Sequence, residues 1–167
     1  MRQTEMRERT ITIDDDRVRE STAPPVQQEL DRDLVESVRR HAARTDASGR
    51  DAGLTDRIAE LDREWDIERI LEANASTLAL IGTLLAAAHD RRWLWLPGVV
   101  TAFLLQHALQ GWCPPVVVFR RMGVRTRKEI DAERYALKML RGDFDLDETA
   151  DADAAMRARR ALDASTR

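Results

Sequence analysis

At 167 residues the chain has room for one domain with tails, and its net charge of -3 argues against general nucleic-acid binding, which needs a positive surface to displace counterions from phosphates. A single cysteine, Cys113, excludes an internal disulfide and any multi-cysteine metal site. The averages, 34% charged residues and a mean hydropathy of -0.48, describe an ordinary soluble protein. Yet residues 93–119 hold no Asp, Glu, Lys or Arg over 27 positions, and residues 73–89 hold none over 17.

Residues 1–25 are polar and charged, end in Pro24-Pro25 and lack the continuous apolar core of a cleavable signal peptide. Disorder is expected there, because so little apolar surface is available to offset the entropy of ordering. From Gln27 to Arg44 the residues favour helix, with Leu30, Leu34 and Val38 as a narrow stripe at spacings of four. Thr45 to Gly53 reads as a linker. Leu54, Ile58, Leu61 and Trp65 then recur at helical spacing, with Thr55 as the expected cap. This amphipathic helix either lies in the headgroup region or forms a seam with a second chain.

Ile70 to Ala88 is the first expected span, about 28 Å long at 1.5 Å per residue, with Glu72 and Asn74 in its first turn. Trp93 to Phe119 carries the second, taken as residues 93–113. Trp93, Trp95 and Trp112 stand where aromatic belts anchor a helix, and Pro97 lies in its first turn. Pro114 and Pro115 are expected to end or kink it. Only His89-Asp90-Arg91-Arg92 separates the spans, which forces an antiparallel hairpin with both arms on one side. The flanks hold Arg57, Arg63, Arg69, Arg120, Arg121, Arg125, Arg127, Lys128, Arg134 and Lys138 against two bases in the turn. That bias places both termini in the cytoplasm. Thr126 and Glu129 fit a capping box opening a helix from about Arg127 to Arg141, with Ile130, Leu137 and Leu140 on one face and Gly142 as C-cap. A charged tail follows. The expected division is therefore a polar arm over 1–53, a lead-in helix and hairpin over 54–126, and a cytoplasmic helix and tail over 127–167.

The residues Ile67-Glu68-Arg69, Gly111-Trp112-Cys113-Pro114, Gly123, Thr126, Glu129-Ile130 and Ala136-Leu137-Lys138 up to Arg141-Gly142-Asp143-Phe144 resemble the YgaP-like transmembrane domain family. The resemblance covers residues 66–144. It implies a bacterial inner-membrane helical hairpin that self-associates, fused in some relatives to a rhodanese sulfurtransferase domain. This chain has no second cysteine, and its first 65 residues are too few for a rhodanese domain, so sulfur chemistry would need a partner.

The candidate residues follow from depth in the hairpin. Folding it about Asp90–Arg91 sets Asn74 opposite His107, Glu72 opposite Leu109 or Gln110, and Arg69 opposite Trp112 and Cys113. Glu72, Asn74, His107 and Gln110 are expected to form one polar layer, either bonding the helices together or lining a path. Cys113 is a candidate reactive thiol near Arg120 and Arg121. Arg120, Arg121, Arg125, Arg127 and Lys128 are assigned to topology and anionic headgroups. Small residues at helix-packing spacing (Ala75 with Ala79, Gly82 with Ala86, Gly98 with Ala102) favour close helix contact. No metal-ligand spacing, phosphate loop or catalytic triad is visible, so no cofactor, metal or enzymatic activity is expected. The expected function is a self-associating membrane scaffold or partner-binding module, with lipid, further copies and a cytoplasmic protein as partners. An oligomeric transporter of a small anion or sulfur species, or a sulfurtransferase accessory through Cys113, is the alternative.

Overall fold

Asp16, Asp66, Pro24-Pro25 and Pro114-Pro115 each mark the start of a helix. The computed structural model describes residue 13 and residues 15–44 and 52–143; the expected tail over 145–167, most of the expected linker and the first twelve residues of the stretch expected to be disordered lie outside the described residues. These hold seven α-helices and one 3-10 turn, with no strand among the described residues, in keeping with the all-α expectation. Two compact units emerge, Met1–Leu34 with Glu64–Ile130, and Val35–Arg63 with Asp131–Arg167.

The first unit opens with α1, Arg17–Ser21, inside the stretch for which disorder was expected. Asp16 caps it by accepting from the Arg19 N–H at 3.0 Å. Val18 then packs with Ile67, Leu71, Cys113 and Val116 in a buried cluster. That inward valine and the aspartate cap are joined by bonds from Arg17, Arg19 and Ser21 to the surface on which the helix packs. α2 runs Pro24–Ala42, so Pro24-Pro25 form its first turn, where the missing N–H groups would be unpaired anyway. Leu30 and Leu34 are buried as the stripe requires, and so is Asp31 between them.

α4 spans Ile67–Ala88 and starts three residues earlier than expected, because Asp66 caps it by accepting from the Arg69 N–H at 2.8 Å. Its 22 residues make it the one described helix long and apolar enough to cross a membrane. The run expected to form the second span is broken into three pieces. Arg91–Leu94 is the 3-10 turn, α5 is Trp95–Gln110, and α6 is Pro114–Arg121. Gly111, at φ 69°, ends α5 in the left-handed region, and Pro114-Pro115 begin α6 rather than ending the span. The two-span hairpin is thus reduced to one helix of sufficient length plus a 16-residue antiparallel neighbour. The two pack closely at Gly82, where an added Cβ would lie 2.5 Å from Pro97 Cδ.

In the second unit α3, Ala52–Leu61, begins before Thr55, which is therefore inside the helix rather than its cap. Leu54, Ile58 and Leu61 of the expected stripe are buried within this chain, while Trp65, beyond the end of the helix, is 48% exposed. α7 is Arg127–Arg141, matching the expected bounds, with its first residues in the first unit. Gly142 at φ 84° closes it, with the Asp143 N–H reaching the Lys138 carbonyl at 3.1 Å. Glu133, wholly buried, accepts from Ser37 Oγ at 2.6 Å and from Arg57 Nε at 3.0 Å.

Candidate functional site

The first unit concentrates its polar chemistry where α5 ends and α1 crosses it. Gly111 is indispensable to that crossing. A Cβ there would stand 2.5 Å from Arg17 Cβ and 2.7 Å from its carbonyl carbon, so backbone meets backbone. The approach lets Arg17 Nη1 donate to the carbonyls of Ala108 and Leu109, each at 3.2 Å, placing a cation on the negative end of α5. Ser21 Oγ donates to the Gly111 carbonyl at 3.0 Å.

Beside this latch lies a buried ionic cluster. Arg120 of α6 makes a bidentate pair with Glu129 of α7, at 2.7 and 2.8 Å. Its remaining donors go to Gln27 Oε1 at 2.7 Å, Thr22 Oγ1 at 3.0 Å and the Val124 carbonyl at 3.0 Å. Glu129 also accepts from Arg19 at 3.0 Å and Gln27 at 2.9 Å, and Arg19 makes a second bidentate pair with Asp31. The expected capping box supplies one more bond: the Thr126 N–H donates to Glu129 Oε2 at 2.9 Å, while Thr126 Oγ1 donates to Asp16 at 2.6 Å. Burial works against the Glu129 anion, but the hydrogen bonds and charge of Arg120 outweigh it and hold the carboxyl down to about 2.

Against this geometry the sequence-predicted residues separate. Arg120, expected at the headgroups, is turned inward and only 2% exposed. Arg125 is paired with Glu64 at 2.8 Å. Arg121, Arg127 and Lys128 are exposed. Cys113 is buried in the apolar cluster with Val18 and Val116 and presents no thiol to solvent. Arg69 stacks over the Trp65 ring at 4.3 Å instead of facing Trp112.

The polar layer divides too. Glu72 and His107 line one cleft of about 580 Å³, together with Glu68, one turn earlier on α4. Asn74 lines a different, apolar groove of about 100 Å³ with Phe103 and Cys113, and exposed Gln110 lines neither. The reason is rotation: residues two apart on a helix point about 200° apart, so Glu72 and Asn74 share a depth without sharing a face. Glu68 was absent from the expected layer because the span was started at Ile70. The signal that would have found it is Asp66, a helix-capping residue just before Ile67. Glu68 Oε2 and His107 Nδ1 are buried with no hydrogen-bond partner among the described residues. Compared with family models, curated proteins and solved structures, the chain matches none.

Proposed function

We propose that this protein is a small integral-membrane scaffold. In this reading α4 and α5 form a two-span hairpin, both termini face the cytoplasm, and the protein associates with further copies of itself. The observation that carries the reading is a band of large apolar side chains pointing outward from both helices. Leu80 and Leu84 on α4 are 60% and 59% exposed, and Trp95 and Leu109 on α5 are 78% and 67% exposed. α5 has no buried residue at all. Side chains of this size gain on the order of 2 kcal/mol each when moved from water to hydrocarbon, and a bilayer supplies that environment on every side.

Length fits once the 3-10 turn is counted. Sixteen α-helical and four 3-10 residues rise about 32 Å, close to the thickness of the hydrocarbon core. Exposed Arg121, Arg127 and Lys128 beyond the far end favour the cytoplasmic side and would each add roughly 1 kcal/mol beside anionic lipid. Self-association is supported on α5, where Gly98 has nothing within 4 Å of an added Cβ and Ala102 is exposed one turn on.

Carbonate extraction of membranes containing the full chain tests the insertion. The protein is expected to stay in the pellet and leave only with detergent; release by carbonate alone would refute it. Crosslinking in the membrane should then give a ladder of discrete oligomers that shortens with Gly98→Leu. A ladder unchanged by that substitution would remove the α5 face from the account.

A further inference from the structure

We propose that the cleft between α1, α4, α5 and the start of α7 binds a lipophilic organic cation, held by the carboxylates of Glu68 and Glu72 opposite His107. The proposal goes beyond the hairpin reading and does not depend on it, since the cleft is built wholly within one compact unit.

Three observations carry it. The cleft measures about 580 Å³, inside the range of sites that enclose a small organic molecule and far larger than a bare ion needs. Its charges are unequally engaged. Arg17 is held by the Ala108 and Leu109 carbonyls, Lys128 donates to the Asp15 carbonyl at 2.8 Å, and Asp16 is occupied by Thr126 and the α1 cap. Glu72 has no hydrogen-bond or ion-pair partner among the described residues, and Glu68 keeps a buried oxygen without one. The unengaged side chains are therefore the carboxylates of Glu68 and Glu72, one helical turn apart on α4, the carboxylate of Asp15 before α1, and the His107 imidazole on α5, all lining the same cleft. The rest of the wall combines apolar Val18, Leu71, Leu104, Ala108 and Gly111 with Thr126, which is bonded to Asp16, and Arg127, which is engaged by a partner of its own. The buried, unpartnered oxygen of Glu68 is costly beside the apolar part of this wall, and a cation with an apolar body relieves that charge, with exposed Glu72 adding attraction at the mouth, while covering the hydrocarbon. A polyvalent metal is disfavoured, because no three His, Cys, Asp or Glu side chains among the described residues come close enough to ligate one.

The test uses two ions of nearly the same shape and opposite charge, tetraphenylphosphonium and tetraphenylborate. Each is titrated by calorimetry onto the full chain in zwitterionic lipid nanodiscs, with empty discs as the reference. Incorporation into discs reads the membrane account separately; a chain that stays outside them is titrated in buffer. Saturable tetraphenylphosphonium binding is expected, with at least tenfold weaker or absent binding of tetraphenylborate. Glu72→Gln, at an exposed position, should weaken the phosphonium at least tenfold without changing the melting temperature, and Glu68→Gln should do the same if it folds. Equal binding of the two ions, no saturation above empty discs, or a phosphonium affinity within twofold in Glu72→Gln would each overturn the proposal.

Discussion

Removing both halves of the Arg120–Glu129 pair should destabilise the first unit far less than the sum of removing each half alone. Arg120 and Glu129 side chains are 1% and 2% exposed, and the carboxylate has five donors around it. Arg120→Met leaves Glu129 with Arg19, Gln27 and the Thr126 N–H, but orphans the acceptors on Gln27, Thr22 and Val124. Breaking a buried pair on one side costs about 3–5 kcal/mol, and the surviving Arg19 contact puts this variant near 3 kcal/mol. Glu129→Leu is worse, near 5 kcal/mol, because it leaves Arg120 and Arg19 as neighbouring buried cations with only Asp31 between them. In the double variant the added apolar volume replaces the pair and Arg19 keeps Asp31, so the loss should fall to about 3 kcal/mol or less. The single losses sum to about 8 kcal/mol, which makes the coupling about 5 kcal/mol. Denaturant titration of the purified chain, followed by circular dichroism and by trypsin cleavage at Arg17 and Arg19, measures all three. Losses that add to within about 0.5 kcal/mol would show that the two side chains do not act as a pair and would refute the reasoning.

Acid should weaken the same unit. The Glu129 carboxyl is held at about 2 against an ordinary 4.5. The folded pKa is depressed, so the stabilisation is complete above about 4.5 and is lost as the pH falls to about 2. The full shift corresponds to about 3 kcal/mol, and Glu129→Gln should flatten that slope; a wild-type melting temperature constant between pH 5 and 2.5 would contradict it. Gly111→Ala should cost about 3 kcal/mol through the left-handed backbone and the clash with Arg17, and it should speed trypsin cleavage in α1, whereas Gly98→Ala should stay within about 0.5 kcal/mol of wild type. Equal melting temperatures for the two alanine variants would remove the latch from the account. Cys113 should resist a water-soluble maleimide in the folded protein and react after denaturation, and fast labelling of the native chain would contradict its place in the apolar cluster.

What the sequence made legible was local. Spacings of three and four found the stripes on α2, α3 and α7, and the Thr126–Glu129 pair marked the start of α7 because capping depends on residues three apart. Long uncharged runs located the apolar helices but not their breaks, since Gly111 takes its left-handed conformation partly to admit α1, which arrives from more than ninety residues away. The ionic cluster was invisible for the same reason. Arg120 reads as one more flanking base, and only its place four residues after buried Val116, on the same helix face, hints that it turns inward. Its partners Thr22 and Gln27 are 98 and 93 residues distant. Matching residues by depth sets Asn74 opposite His107 and Glu72 opposite Leu109 or Gln110, whereas Glu72 and His107 line one cleft and Asn74 another, because depth ignores the helical rotation between them.

The central claim is that α4 and α5 cross a bilayer as a hairpin with its turn outside. Single cysteines placed by His89→Cys in the turn and by Arg121→Cys beyond α6, each in a Cys113→Ala background, test it most directly. Both positions are exposed. With a membrane-impermeant maleimide the account predicts that His89→Cys labels in spheroplasts and Arg121→Cys labels only in inside-out vesicles. Labelling of both from the same face would contradict it.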